Sequence, residues 1–261
     1  MILFAGGNSS GHVSEYHLDD SLAGIPESEW ALYDKVNNVR TDAVYIKGDA
    51  TNSTLSGRMV VLFFNARDVC LLSGVTIGKL FRSLGFDFFS LDYRGYGRSY
   101  PGFKPSEETL YEDGEAAIRF LTDSLGYADS SIILSGFSLG TGVATDMATR
   151  YNVKALILFA AYTNMDNSVE TLCGGYDIPA DWVLCSKFDN LSKMPLISIP
   201  VCFFSGTDDT FVTPDHTKQL FRNANEPKRM YMLQGQDHNK FVTESFSQWK
   251  ELLLAFIRDI D

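Results

Sequence analysis

Histidine is scarce in this chain, with four copies in 261 residues at positions 12, 17, 216 and 238, so the choice of a general base is narrow. Cysteine is equally scarce. Cys70, Cys173, Cys185 and Cys202 show no C-x-x-C spacing and no histidine-rich surroundings, which argues against a zinc site and a dithiol redox motif. Cys173 and Cys185 fall in one irregular segment and would be bridged only in an oxidising compartment; free thiols are the expectation, with Cys202 in a core strand. No apolar stretch reaches membrane-spanning length. The opening Met1-Ile2-Leu3-Phe4-Ala5-Gly6-Gly7 has a short apolar run with no positive residue before it, a poor secretory signal, so a cytoplasmic location is the default expectation. Positive charge is also in deficit. With 22 Lys and Arg against 33 Asp and Glu, the net charge is -11 and the pI near 4.8, which argues against nucleic acid as a partner and against docking on anionic lipid by net attraction.

What the chain has in quantity is apolar and aromatic residues, 45% and 13%, including 19 phenylalanines, enough for one large domain with an apolar surface to spare for a pocket. Residues 1–29 are polar and rich in Ser, Gly and acidic residues, and are read as an extension of unassigned role; residues 30–261 are read as a single domain. Two strand-like runs lead to Ala43–Lys47, and then strands and helices alternate. Met59–Phe64, Phe86–Leu91, Ser131–Ser135, Lys154–Ala160, Pro200–Ser205 and Arg229–Leu233 read as strands. Leu71–Leu84 reads as a helix. Ser106 is the N-cap of a helix with periodic apolar or small residues to Leu125, and Thr213-Pro214 opens another. Phe246, Trp249, Leu253, Phe256 and Ile260 line one face of a closing helix. Near-continuous apolar strands alternating with helices predict an α/β fold, a mostly parallel sheet covered on both faces, with the active site at the strands' carboxyl ends.

Gly136-Phe137-Ser138-Leu139-Gly140 reads G-x-S-x-G between the strand at Ser131 and a helix spanning Thr141–Arg150. Such a strand-turn-helix exposes the serine Oγ in a strained conformation and aims free N–H groups of the helix N-terminus at a developing oxyanion. A serine hydroxyl needs a base, and the base needs an orienting carboxylate. His12 and His17 precede the sheet and His216 lies inside a predicted helix start, whereas His238, in Gly235-Gln236-Asp237-His238-Asn239, follows the last strand at its carboxyl end. Asp208 and Asp209 both leave the strand that ends at Ser205, so position alone leaves the acid open between them. The order Ser, Asp, His differs from that of the chymotrypsin and subtilisin types.

Over roughly residues 40–260 the sequence resembles the α/β-hydrolase superfamily, and within it the small depalmitoylase-like serine hydrolases. Beyond the serine turn, the resemblance is carried by Asp92-Tyr93-Arg94-Gly95-Tyr96-Gly97-Arg98-Ser99, Phe188-Asp189-Asn190-Leu191 before Ile199-Pro200-Val201, Gly206-Thr207-Asp208-Asp209-Thr210-Phe211-Val212, and the His238 loop. It implies an α/β-hydrolase fold and catalysis by Ser138, His238 and an acid that the family's G-x-x-D-x-x-V pattern puts at Asp209. It also implies an oxyanion hole with Leu139 N–H as first donor and no metal or organic cofactor. The family's His-Gly after the first central strand is absent from Phe63-Phe64-Asn65-Ala66-Arg67, which leaves Asn65 or Ala66 as the second donor.

The interval 162–199, where family members often carry a large lid, is short here and is read as a small cap around Trp182, Val183, Leu184, Cys185 and Phe188. An open site suits an acyl chain on a bulky carrier. Arg94 and Arg98 are the candidate contacts for an anionic headgroup, set against a structural role for their segment. The expectation is a serine hydrolase acting on acyl esters or thioesters of a lipid or an acylated protein. Its rivals are a phospholipase-type lipid acyl hydrolase and a catalytically silent binding module of the same fold.

Overall fold

Five consecutive residues buried on both sides of the chain mark a strand covered by helices on both faces, and Val60–Phe64 and Ala155–Phe159 are of that kind in the computed structural model. The structure describes residues 22–36, 39–51, 57–67, 71–97, 99, 103–165, 187–238 and 241–261. Its strands are β1 (Trp30–Tyr33), β2 (Ala43–Ile46), β3 (Val60–Phe64), β4 (Asp87–Leu91), β5 (Ile132–Phe137), β6 (Ala155–Phe159), β7 (Val201–Gly206) and β8 (Lys228–Leu233). Together they form an 8-stranded sheet in the order β1-β2-β4-β3-β5-β6-β7-β8. From β4 to β8 every neighbouring pair is parallel, while β2 runs antiparallel to both β1 and β4.

The helices among the described residues are α1 (Leu71–Ser83), α2 (Glu107–Arg119), α3 (Leu139–Arg150), the short α4 (Asn190–Lys193), α5 (Pro214–Asn223), the short α6 (Phe241–Glu244) and α7 (Phe246–Ile260). Strand alternation sorts the core into two layers. Val60, Leu62 and Phe64 join one hydrophobic cluster with α2, α3 and α5, whereas Val61 and Phe63 join the other with Phe81 of α1 and Trp249, Leu253 and Phe256 of α7. The Ser106 cap is realised as a capping box with Thr109. The helical run expected to reach Leu125 does continue past Arg119, but as a π-helical segment, Phe120–Ser124, in place of α-helix. Leu22 and Ile25, in the polar N-terminal stretch, are buried in the α1 and α7 layer.

Cys202 is a free thiol buried in β7, and burial raises its pKa well above the ordinary thiol value. Cys70, Cys173 and Cys185, together with His12, His17, Trp182 and Arg98, lie outside the described residues. No helix of the described residues is long and apolar enough to cross a membrane.

Candidate active site

The parallel register delivers β5, β6, β7 and β8 to one edge of the sheet, and the predicted residues gather there. Ser138 sits between β5 and α3 at φ 51 and ψ -118, the strained turn that the G-x-S-x-G spacing implies. The two motif glycines have separate steric reasons. A Cβ on Gly136 would strike the carbonyl of Gly140, so the turn closes only without one. A Cβ on Gly140 would strike the carbonyl of Phe64, so glycine lets the start of α3 lie directly on the end of β3. The Ser138 N–H donates to Phe159 O at 3.1 Å, tying the turn to β6, and the Ser138 carbonyl accepts from the Thr141 hydroxyl at 2.6 Å.

His238 follows β8 and reaches both partners. Its Nε2 is 3.0 Å from Ser138 Oγ and its Nδ1 is 2.7 Å from Asp209 Oδ2. With the buried carboxylate accepting from Nδ1–H, Nε2 is left free to accept a proton from the serine. Asp209 Oδ1 accepts from the N–H groups of Phe211 at 2.9 Å and Val212 at 2.8 Å, so both carboxylate oxygens are held. Asp208 is exposed, and its carboxylate accepts from the neighbouring Thr207 hydroxyl at 2.8 Å. The acid loop and the histidine loop are laced together: Thr207 N–H donates to Leu233 O at 3.0 Å, Asp208 N–H to Gln236 O at 3.1 Å, and Gly235 N–H to Thr207 Oγ1 at 2.9 Å. Gly206 permits this approach, because a Cβ there would collide with Gln236 O.

Around the remaining predicted positions, Leu139 opens α3, where helix N–H groups lack intrahelical partners. Asn65 and Ala66 are both buried just beyond β3. The Asn65 amide is turned away into the sheet, with Nδ2 donating to Ser90 Oγ at 3.0 Å and Leu91 O at 3.4 Å, while Asn65 O accepts from the Tyr93 hydroxyl at 3.4 Å. An oxyanion donor supplied from this loop is therefore a backbone N–H.

Arg94 is committed elsewhere. Its Nε meets Asp113 Oδ1 at 2.6 Å, its terminal nitrogen meets Glu112 at 2.6 Å, and its backbone N–H donates to Asp113 Oδ2 at 2.8 Å, which makes it a brace between the β4 loop and α2. Burial pushes the Asp113 carboxyl up to about 6 even against the Arg94 charge. Among the described residues no group of three or more His, Cys, Asp or Glu is placed to hold a metal ion.

Two features of this edge escape a reading by motif. The rings of Phe137 and Phe211 lie 5.1 and 5.5 Å from the His238 ring, centroid to centroid. Both phenylalanines stand inside the quoted motifs, at variable positions, and only the fold shows that they face one imidazole. His216, in the first turn of α5, binds the stretch after β6: Thr163 N–H and Oγ1 lie 3.3 and 2.9 Å from its Nδ1.

Comparison with known proteins agrees with this fold. The chain is 32% identical over 198 residues to alpha/beta hydrolase domain-containing protein 17B of Homo sapiens, an alignment covering 74% of this chain and 63% of that protein. It is also 32% identical over 209 residues to the protein of the same name from Xenopus laevis, covering 77% and 67%. The chain belongs to the α/β-hydrolase family. The family profile described as serine aminopeptidase, S33 matches residues 75–191 of this α/β-hydrolase. An esterase of Pyrococcus furiosus superposes with a TM-score of 0.74 at 14% identity, covering 95% of this chain and 94% of that one, a likeness of fold. The chain spans about 63% of the length of the human relative, and the match omits the rest of that protein.

Proposed function

We propose that this α/β-hydrolase is a serine hydrolase that cleaves carboxylic esters or thioesters through an acyl-enzyme. The observation that carries the reading is the unbroken string Ser138 Oγ, His238 Nε2, His238 Nδ1, Asp209 Oδ2 at 3.0 and 2.7 Å, set at a strained turn. Ser138 Oγ attacks the acyl carbonyl carbon while its proton passes to His238 Nε2. The carbonyl oxygen becomes an oxyanion facing Leu139 N–H and the N–H of Asn65 or Ala66. Collapse breaks the bond to the alcohol or thiol, which leaves with the proton from Nε2. Water then attacks the acyl-serine as His238 takes its proton, and the acid departs with Ser138 restored. Asp209 keeps the imidazole oriented and offsets its charge at each transfer. None of these steps calls on a metal or organic cofactor.

Fluorophosphonate labelling of the purified protein beside Ser138→Ala tests the reading. The expected result is labelling of the wild type alone, with p-nitrophenyl ester turnover lost in the variant and its melting temperature kept. Turnover that survives Ser138→Ala removes the assignment, and a folded wild type that neither labels nor turns over favours the binding module. A series of esters of increasing acyl length, with dispersed phospholipid alongside, then separates a short-chain esterase, a long-chain deacylase and a phospholipase.

A further inference from the structure

We infer that Phe137 and Phe211 are positioning residues that form an aromatic seat for His238 and stabilise the imidazolium that arises when Ser138 gives up its proton. The inference rests on the serine-hydrolase reading above and adds to it a second source of charge stabilisation beside Asp209.

Phe137 precedes the nucleophile and Phe211 lies two residues beyond the acid, so each ring is anchored to a different partner of the histidine. The Phe137 ring is tilted 31° from the imidazole at 5.1 Å, and the Phe211 ring 35° at 5.5 Å. Rings tilted by 31° and 35° cannot meet edge to edge at these separations without clashing, so we take each phenyl ring to overlap the imidazole with an offset and to lay part of its face over it. That face carries the negative lobe of the ring quadrupole, which attracts a cation. The charge appears on the imidazole as the proton leaves Ser138 Oγ and disappears when the leaving group takes it. The attraction is therefore stronger in the charged transition state than in the resting enzyme, the condition for raising kcat.

Packing explains the two rings unequally. Phe137 lies against both hydrophobic layers. Phe211 belongs to neither layer among the described residues, and it is half-buried, with His238 as its ring partner. Its own N–H holds Asp209 Oδ1 at 2.9 Å, so the loop that fixes the acid also fixes the ring. Among the described residues, the imidazole it lies against is the partner that accounts for this bulky aromatic, which is locked to the acid and outside both layers.

The test varies the Phe211 ring: Phe211→Tyr, Phe211→Leu, and replacement of Phe211 by pentafluorophenylalanine, which keeps nearly the same shape and removes the negative face. On one p-nitrophenyl ester, Phe211→Tyr is expected to stay near wild type, while the leucine and pentafluoro variants lose about two- to thirty-fold in kcat. KM should remain within about twofold, and all variants should keep the wild-type melting temperature and Ser138-dependent labelling. Equal kcat for phenylalanine and pentafluorophenylalanine, or a loss confined to KM, overturns the inference and leaves the triad reading standing. A wild type without Ser138-dependent labelling or turnover overturns both.

Discussion

Two histidines stand near the same edge of the sheet, both half-buried, and they are wired in opposite senses. At His238 the Nδ1 side meets the Asp209 carboxylate at 2.7 Å, which requires a proton there and leaves Nε2 as an acceptor toward Ser138 at 3.0 Å. At His216 the Nδ1 side receives the backbone N–H of Thr163 at 3.3 Å, which requires a lone pair there and puts the proton on Nε2. The residue type is the same and the tautomer is reversed, so one ring can relay a proton and the other fastens a loop. Proximity of a histidine to the carboxyl ends of the strands does not make it a base; what binds its second nitrogen decides.

The sharpest way to break this comparison is to invert the wiring at His238. Asp209→Asn keeps the size of the side chain but can present an N–H to Nδ1, which favours the tautomer with its proton facing Ser138. A loss of about 10⁴ in kcat is expected. Asp208→Asn alters an exposed carboxylate whose partner is Thr207, and its kcat/KM should stay within about threefold of wild type. Comparable losses in the two variants would show that the acid loop matters as a unit, without the specific carboxylate contact.

A steric change on the nucleophile side should rank next. Gly140→Ala places a methyl group into the carbonyl of Phe64, a backbone atom that cannot rotate away. The start of α3 must lift from β3, moving Leu139 N–H and Ser138 together. We expect a stability loss of about 1–3 kcal/mol by chemical denaturation and a fall in kcat larger than that loss explains. Gly57→Ala, at a glycine whose missing Cβ meets nothing within 4 Å among the described residues, is the control and should stay within about 0.5 kcal/mol.

These residues also mark where a reader of sequence succeeds and where the reading stops. The central strands were legible because strands buried on both faces must be apolar throughout, and Ser138, His238 and the Asp208-Asp209 pair were legible because polar residues end such strands. The pair itself was not divisible by position, since adjacent residues point in different directions and only the resemblance favoured Asp209. The strand order and the burial of Leu22 and Ile25 depend on contacts distant in sequence, to which local periodicity is blind. The commitment of Arg94 to Asp113 was hidden for the same reason: its partner lies on α2, across a turn. Phe137 and Phe211, 74 positions apart by their numbers, carry no signal of a shared neighbour until β5 and β7 are brought to one edge.

The smallest effects on activity belong to His216, and they sharpen the comparison from its other side. His216→Leu removes the acceptor that Thr163 N–H and Oγ1 share, and a loss of about 1–3 kcal/mol in stability is expected, with kcat nearly unchanged. The wild-type ring should also make stability depend on pH. Burial lowers the His216 pKa below its ordinary value, an effect larger than the opposing pull of Asp215 and Asp209. The unfolded chain therefore takes up a proton near pH 6.5 that the folded protein refuses until lower pH. The contribution of the neutral ring is fully present above about pH 6.5 and is lost as pH falls through that value to the folded pKa, where the charged ring would turn a proton toward Thr163 N–H. His216→Gln offers Thr163 an amide oxygen and cannot titrate, so denaturation midpoints from pH 8 to pH 5 should fall less for the variant than for the wild type. Parallel curves for the two proteins would show that His216 does not titrate differently on folding, and the reversed wiring inferred at this ring would then have to be given up.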